Sequence, residues 1–169
     1  MPNIRYTLIF LFSLFVQVLL FDNVYIIGNI SIYLYIYIIL ILPIEMNKFT
    51  LLLLSFILGL SIDLFNSTPG LNAAATVCLA YFRPMVLKLY IPSNGYEANK
   101  NPGIKNYGFY WFLRYAISLI LIHHSTLILL EYFSFSHFFH TVLKILIASV
   151  LTLLFIILID FNFIRNRKK

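Results

Sequence analysis

The side chains best equipped for chemistry lie in the C-terminal half of the chain: His123, His124, Glu131, His137 and His140. Imidazole and carboxylate are zinc ligands, and the same groups build proton relays. His124 and Glu131 are seven residues apart and share a helix face, while His137 and His140 form a His-x-x-His. Against a metal, adjacent histidines point in different directions and no His-Glu-x-x-His occurs. Against a relay, Asp63 and Glu131 fall near the same end of their helices, leaving no chain of titratable groups between the two ends. No serine or cysteine stands in a hydrolase-like motif, no glycine-rich phosphate loop is present, and Asp63 lacks a second nearby aspartate. The residues therefore predict no enzyme, no metal site and no cofactor. They predict polar contacts between helices and interfacial placement.

The elements that carry these residues are apolar. Of 169 residues, 62% are hydrophobic and 11% charged, in blocks too long for a soluble domain of this size to hide. In lipid the backbone must satisfy its own hydrogen bonds, which leaves helices or a closed barrel. Runs such as Leu51–Leu54, Leu119–Ile122 and Leu151–Ile159 do not alternate as barrel strands would, so the fold class is all-α and polytopic. The blocks predict six helices in one bundle over residues 1–161: Tyr6–Phe21, Ile30–Ile44, Phe49–Phe65, Pro69–Ile91, Phe109–Phe133 and Phe138–Phe161. Several are shorter than the ~20 residues that cross a bilayer, and Ile30–Ile44, with Pro43 near its end, is the weakest crossing. Arg5 before the first block resembles a secretory leader, but Asp22-Asn23-Val24-Tyr25 offers no small-residue cleavage site, so the block reads as a retained helix. The single cysteine, Cys78, lies inside a block and excludes a disulfide framework.

The net charge of +6 would suggest nucleic acid in a soluble protein. Here most of the basic residues sit just outside the blocks, so no nucleic-acid partner is expected. Arg5, Lys48, the Lys88–Lys105 region and the tail at residues 162–169 alternate with three connections that contain no Lys or Arg. That alternation predicts an even number of crossings with both termini cytoplasmic, the basic residues facing anionic lipid. Ser93–Gly108 reads as a flexible cytoplasmic loop, and Tyr107, Tyr110 and Trp111 as part of an interfacial aromatic belt. Tyr33 and Tyr37 share a face of the second helix and predict packing.

Two features rise above this background. Ser55, Gly59 and Asp63, spaced i, i+4, i+8, share a face of the third helix, and Gly70, Ala74 and Cys78 form a similar small stripe on the fourth. The two stripes are expected to face each other, since small residues let helices approach closely in lipid. Thr68 followed by Pro69 looks like an N-cap with proline at the first helical position. Asp63, ~22 Å along the third helix from Lys48, is placed to accept from the free N–H groups that open the fourth helix and to meet its dipole. The second feature is Arg83-Pro84. Pro84 cannot donate to the carbonyl of Ala80, so a kink is expected. Arg83 can satisfy that oxygen, snorkel to the interface, or contact a lipid phosphate or a partner.

Taken together, Gly59-Leu60-x-x-Asp63, Thr68-Pro69-Gly70-x-Asn72-Ala73 and Arg83-Pro84 resemble the rod shape-determining membrane protein family MreD, and chain length, six-helix layout and basic tail agree. The resemblance implies a non-enzymatic scaffold of the bacterial cell-elongation complex in the inner membrane. It implies binding to a bitopic MreC-like protein, and through it a link between MreB filaments and the peptidoglycan polymerase and transpeptidase. It also implies a fold similar to the substrate-binding subunits of energy-coupling-factor transporters. By motif position Asp63, Gly70 and Arg83 are structural or interface residues. An alternative from another class is a vitamin-like solute-binding subunit of such a transporter, which needs a pocket under its outer loops. The very short outer connections disfavour a lid over such a pocket.

Overall fold

The computed structural model describes residues 13–18, 31–97, 100–132 and 138–165, and all of its regular structure is helical. Most of the first expected helix lies outside the described residues; residues 13–18 within it are helical. A 3-10 turn over Leu34–Ile36 leads into α1 (Tyr37–Ile41). There follow α2 (Lys48–Asn66), α3 (Leu71–Leu89), the single turn α4 (Ile104–Tyr107), α5 (Phe109–Tyr132) and α6 (Phe138–Arg165). Among the described residues three stretches, Lys48–Asn66, Phe109–Glu131 and Phe139–Phe161, are long and apolar enough to cross a membrane. α3 is as long as α2 but carries Asn72, Thr76, Arg83 and Lys88, which dilute its apolar character.

The long helices pack in sequence, α2 on α3, α3 on α5 and α5 on α6. At the centre sits the short second segment. Ile32 and every residue from Leu34 to Leu42 are buried, because a stretch that is apolar all round has no face to give to solvent or lipid. The expected helix over Ile30–Ile44 is corrected to a much shorter one, and its two ends are buried within the protein. By contrast α6 keeps an apolar face exposed, with Leu143, Leu146, Val150 and Leu154 spaced three to four residues apart. α6 also continues to Arg165, so the basic tail begins as helix rather than ending the bundle at residue 161.

A helix end inside an apolar protein leaves N–H or C=O groups with no water to bond. Here side chains from other elements close those ends. At the start of the second segment, the Gln17 carbonyl oxygen accepts from the N–H groups of Leu34 (2.8 Å) and Tyr35 (3.4 Å), and its amide donates to Ile32 O (2.9 Å). At the end of α3, the Tyr96 hydroxyl donates to Leu87 O (2.6 Å) and the Trp111 indole to Tyr90 O (2.6 Å). Burial, with the neighbouring phenols of Tyr115 and Tyr107, pushes the Tyr96 pKa up to about 12, so it remains a donor across the physiological range. The stretch read as a flexible loop is thus pinned at both ends. Tyr96 holds one end, and at the other Asp160 Oδ2 accepts from Ile104 N (2.8 Å). Tyr107 and Trp111, expected in an interfacial belt, pack on Tyr96, while Tyr110 is exposed.

Candidate functional site

Asp63 is 2% exposed near the end of α2 and organises the turn into α3. Its backbone oxygen accepts from Ser67 and Thr68, which closes α2 with Ser67 in a left-handed conformation. Its Oδ1 accepts from the Thr68 hydroxyl, from Asn72 N (3.0 Å) and from the Asn72 side-chain amide (3.0 Å). Its Oδ2 accepts from Ala73 N (2.8 Å). Asn72 and Ala73 are the second and third residues of α3, so the carboxylate occupies the place of an N-cap and faces the positive end of a 19-residue helix. The capping position itself falls to Gly70, at φ 81, where no side chain is available to do the work. This corrects the expectation that Thr68 caps and Pro69 opens the helix. Thr68 lies two residues too early and spends its hydroxyl on Asp63, and Pro69 is exposed in the turn.

Gly59 sits one turn below. A Cβ built there would lie 2.5 Å from Ala73 Cα, 2.6 Å from Asn72 O and 2.7 Å from Ala73 N. The backbones of α2 and α3 therefore touch at this point, and only glycine fits. Ser55, the third member of the stripe, is fully buried and bonds back to Leu51 O (2.7 Å). On α3 the contact is made by Asn72 and Ala73, not by the predicted Gly70-Ala74-Cys78 stripe. Ala74 is exposed, and Cys78 meets Thr126 of α5 at 3.3 Å. The helix begins at Leu71, which rotates Ala73 rather than Ala74 toward α2.

Asp63→Asn keeps the size but turns an acceptor into a donor among donors and removes the charge from the helix dipole. It is expected to lower stability by about 2 kcal/mol, read as a lower midpoint in reversible unfolding in mild detergent. An unchanged midpoint would show that the carboxylate is incidental to the hairpin.

Arg83 is 1% exposed, the largest fully buried side chain among the described residues. Its Nε donates to Tyr115 Oη (2.9 Å), Nη1 reaches Pro43 O (3.5 Å) and Nη2 donates to Leu42 O. Tyr115 in turn donates to Leu40 O (2.9 Å). The guanidinium and the phenol thus take up the carbonyls that end α1. Of the roles expected for Arg83, neither snorkelling nor bonding to Ala80 is what the geometry shows. Arg83 turns inward because the end of the second segment, buried beside it, offers carbonyls in the spacing a planar fork can bind. α3 continues through Pro84 without a break in its helical course.

A third polar group links the two ends. The Tyr35 hydroxyl lies 3.1 Å from Asn72 Oδ1 and 2.8 Å from His123 Nε2, and Thr76 Oγ1 lies 3.4 Å from it. With Nε2 protonated, His123 donates to Tyr35 and Tyr35 donates to Asn72, whose amide serves Asp63. His124 bonds to Ile120 O (2.9 Å) and Thr152 Oγ1 (3.2 Å), and the Tyr33 ring packs edge-on against it at 5.2 Å. Tyr33 and Tyr37 therefore do separate jobs, since Tyr37 donates to Asp160 Oδ1 at 2.8 Å. Tyr35→Phe would leave Asn72 Oδ1 and His123 Nε2 unpaired in the interior. Its expected cost is about 2 kcal/mol, checked by the same unfolding midpoint.

The cluster of His123, His124, Glu131, His137 and His140 is not assembled. His123 and His124 are fully buried, whereas residues 129–131 and His140 are exposed, and His137 lies outside the described residues. The last turn of α5 is exposed on more than one side, so sharing a face with His124 does not bring Glu131 into the bundle. Among the described residues no three His, Cys, Asp or Glu side chains are grouped to hold a metal ion. Sequence reasoning missed Gln17, Tyr35, Tyr115 and Asp160. Asp160 had a visible signal, an aspartate inside the last apolar block, which is rare without a bound partner. The others are ordinary neutral residues with none.

A bundle that is all-helical among the described residues, with three helices there fit to cross a bilayer and fastened by buried polar side chains, defines a helical membrane protein. No family model, curated protein or solved structure matches the chain.

Proposed function

We propose that this protein is a membrane scaffold of the bacterial cell-elongation complex, of the MreD type, lying in the inner membrane as a multi-pass protein with both termini cytoplasmic. One observation carries the reading. Six of the ten residues on which the resemblance rests, Gly59, Asp63, Thr68, Asn72, Ala73 and Arg83, take part in fastening elements of the bundle to each other. A motif spent on helix fastening supports a protein that works by shape and contact rather than by turnover. Large apolar residues stand uncovered on α2, α3 and α6, leaving surface for lipid and for the helix of a bitopic MreC-like partner. Through that partner the scaffold would reach the peptidoglycan polymerase and transpeptidase and, indirectly, MreB.

The test is affinity purification of the tagged protein from its native host in mild detergent, with each co-purifying chain identified. A single-pass MreC-like protein, accompanied by elongation enzymes in lower yield, is the expected result. Paired ATPases with a membrane coupling subunit would overturn it in favour of solute transport.

A further inference from the structure

α2 and α3 touch backbone to backbone at Gly59 and Ala73, yet toward their other ends a cavity of about 440 Å³ opens between them. Its mouth carries Lys48, the first residue of α2, and Lys88, in the last turn of α3. Its wall is apolar, with Leu51 and Leu52 on one side and Tyr81 and Met85 on the other. No carboxylate lines it, and among the described residues the ion pair found is elsewhere, between Lys100 and Glu97. Lys88 and Tyr81 are seven residues apart, so the wall runs roughly 10 Å from the cationic mouth toward the middle of the helices.

We propose that this cavity seats one anionic phospholipid from the leaflet at the lysine end, with its phosphate between Lys48 and Lys88 and the upper part of an acyl chain against Leu51, Leu52, Tyr81 and Met85. The two ammonium groups are unopposed by any acid in the cavity, which is the complement of a lipid phosphate. A neutral transmembrane helix would match the apolar wall but leave both cations without a counter-charge at the mouth. Tyr81 and Met85 are also exposed on the flank of the bundle, so a chain can enter sideways from the bilayer. The site is independent of the elongation-complex reading, because it depends on no partner protein.

Native mass spectrometry of the full-length protein, titrated with phosphatidylglycerol or phosphatidylcholine in mild detergent, tests it. The first bound phosphatidylglycerol is expected to be favoured on the order of tenfold, since each juxtamembrane lysine contributes appreciably to anionic-lipid binding. The pair Lys48→Gln/Lys88→Gln should abolish that preference. Lys48→Arg/Lys88→Arg should keep it, and so should the loop control Lys100→Gln/Lys105→Gln. Equal retention of the two lipids by the natural protein, or an unchanged preference in the glutamine pair, would overturn the proposal. A photo-crosslinker at Met85 in native membranes should yield a lipid adduct. Capture of a protein there instead would assign the groove to a partner helix and equally overturn it.

Discussion

Gly59→Ala is expected to destabilise the protein by about 3 kcal/mol, one of the two largest effects of any single substitution considered. The added methyl meets Ala73 Cα, Asn72 O and Ala73 N at 2.5–2.7 Å, all of them backbone atoms. A flexible side chain could swing away; a helix backbone can only move as a body. Separating the helices here also draws Asn72 N and Ala73 N away from the Asp63 carboxylate, so overpacking and loss of the cap are coupled. Adding Ala73→Gly should not rescue the variant, because the three nearest atoms in conflict are backbone atoms that it leaves in place. It should instead cost a further ~1 kcal/mol of helix propensity. Reversible unfolding in detergent for both variants reads the two effects. Rescue by Ala73→Gly would mean that the helices meet through side chains rather than backbone.

Arg83→Ala is expected to cost about 4 kcal/mol, through the cavity it leaves and the abandoned carbonyls of Leu42 and Pro43. Arg83→Met fills most of the space and also removes the burden of burying a cation, so its cost should fall to about 2 kcal/mol, the penalty for the unpaired carbonyls. Arg83→Lys keeps the charge but offers one compact ammonium to acceptors spread over Leu42, Pro43 and Tyr115, and should not restore full stability. Hydrogen exchange of Leu34–Ile41 amides gives a local readout, since the end of α1 is what the guanidinium holds. If Arg83→Met proves as stable as the natural protein, the guanidinium is not needed to hold α1 closed.

Why Arg83 turns inward could not be read along the chain. The carbonyls it binds lie about forty positions away, in a segment that reads as an ordinary apolar helix. The same holds for Gln17 and Tyr35, which acquire their roles only when the end of a helix is set beside them. Asp63 was legible because donor and acceptor lie within ten residues, and a short turn leaves the carboxylate few other places to go. Even there the register was misjudged. Pro69 suggested a start two residues early, and the left-handed Gly70 moved the contact from Ala74 to Ala73.

Composition by itself determined that the chain is helical and apolar, because backbone groups without water must bond locally and long non-alternating runs leave no other way. It also determined α2 and α5 to within a residue at each end, and the start of α6, since an unbroken apolar helix depends only on its own neighbours in sequence. Only the tertiary structure decided that the second segment is a short buried core helix, and that Arg83 and Tyr115 close one of its ends. The physical reason is that a helix end inside the protein takes its hydrogen-bond partners from whatever packs against it, and packing brings together residues that the sequence keeps far apart.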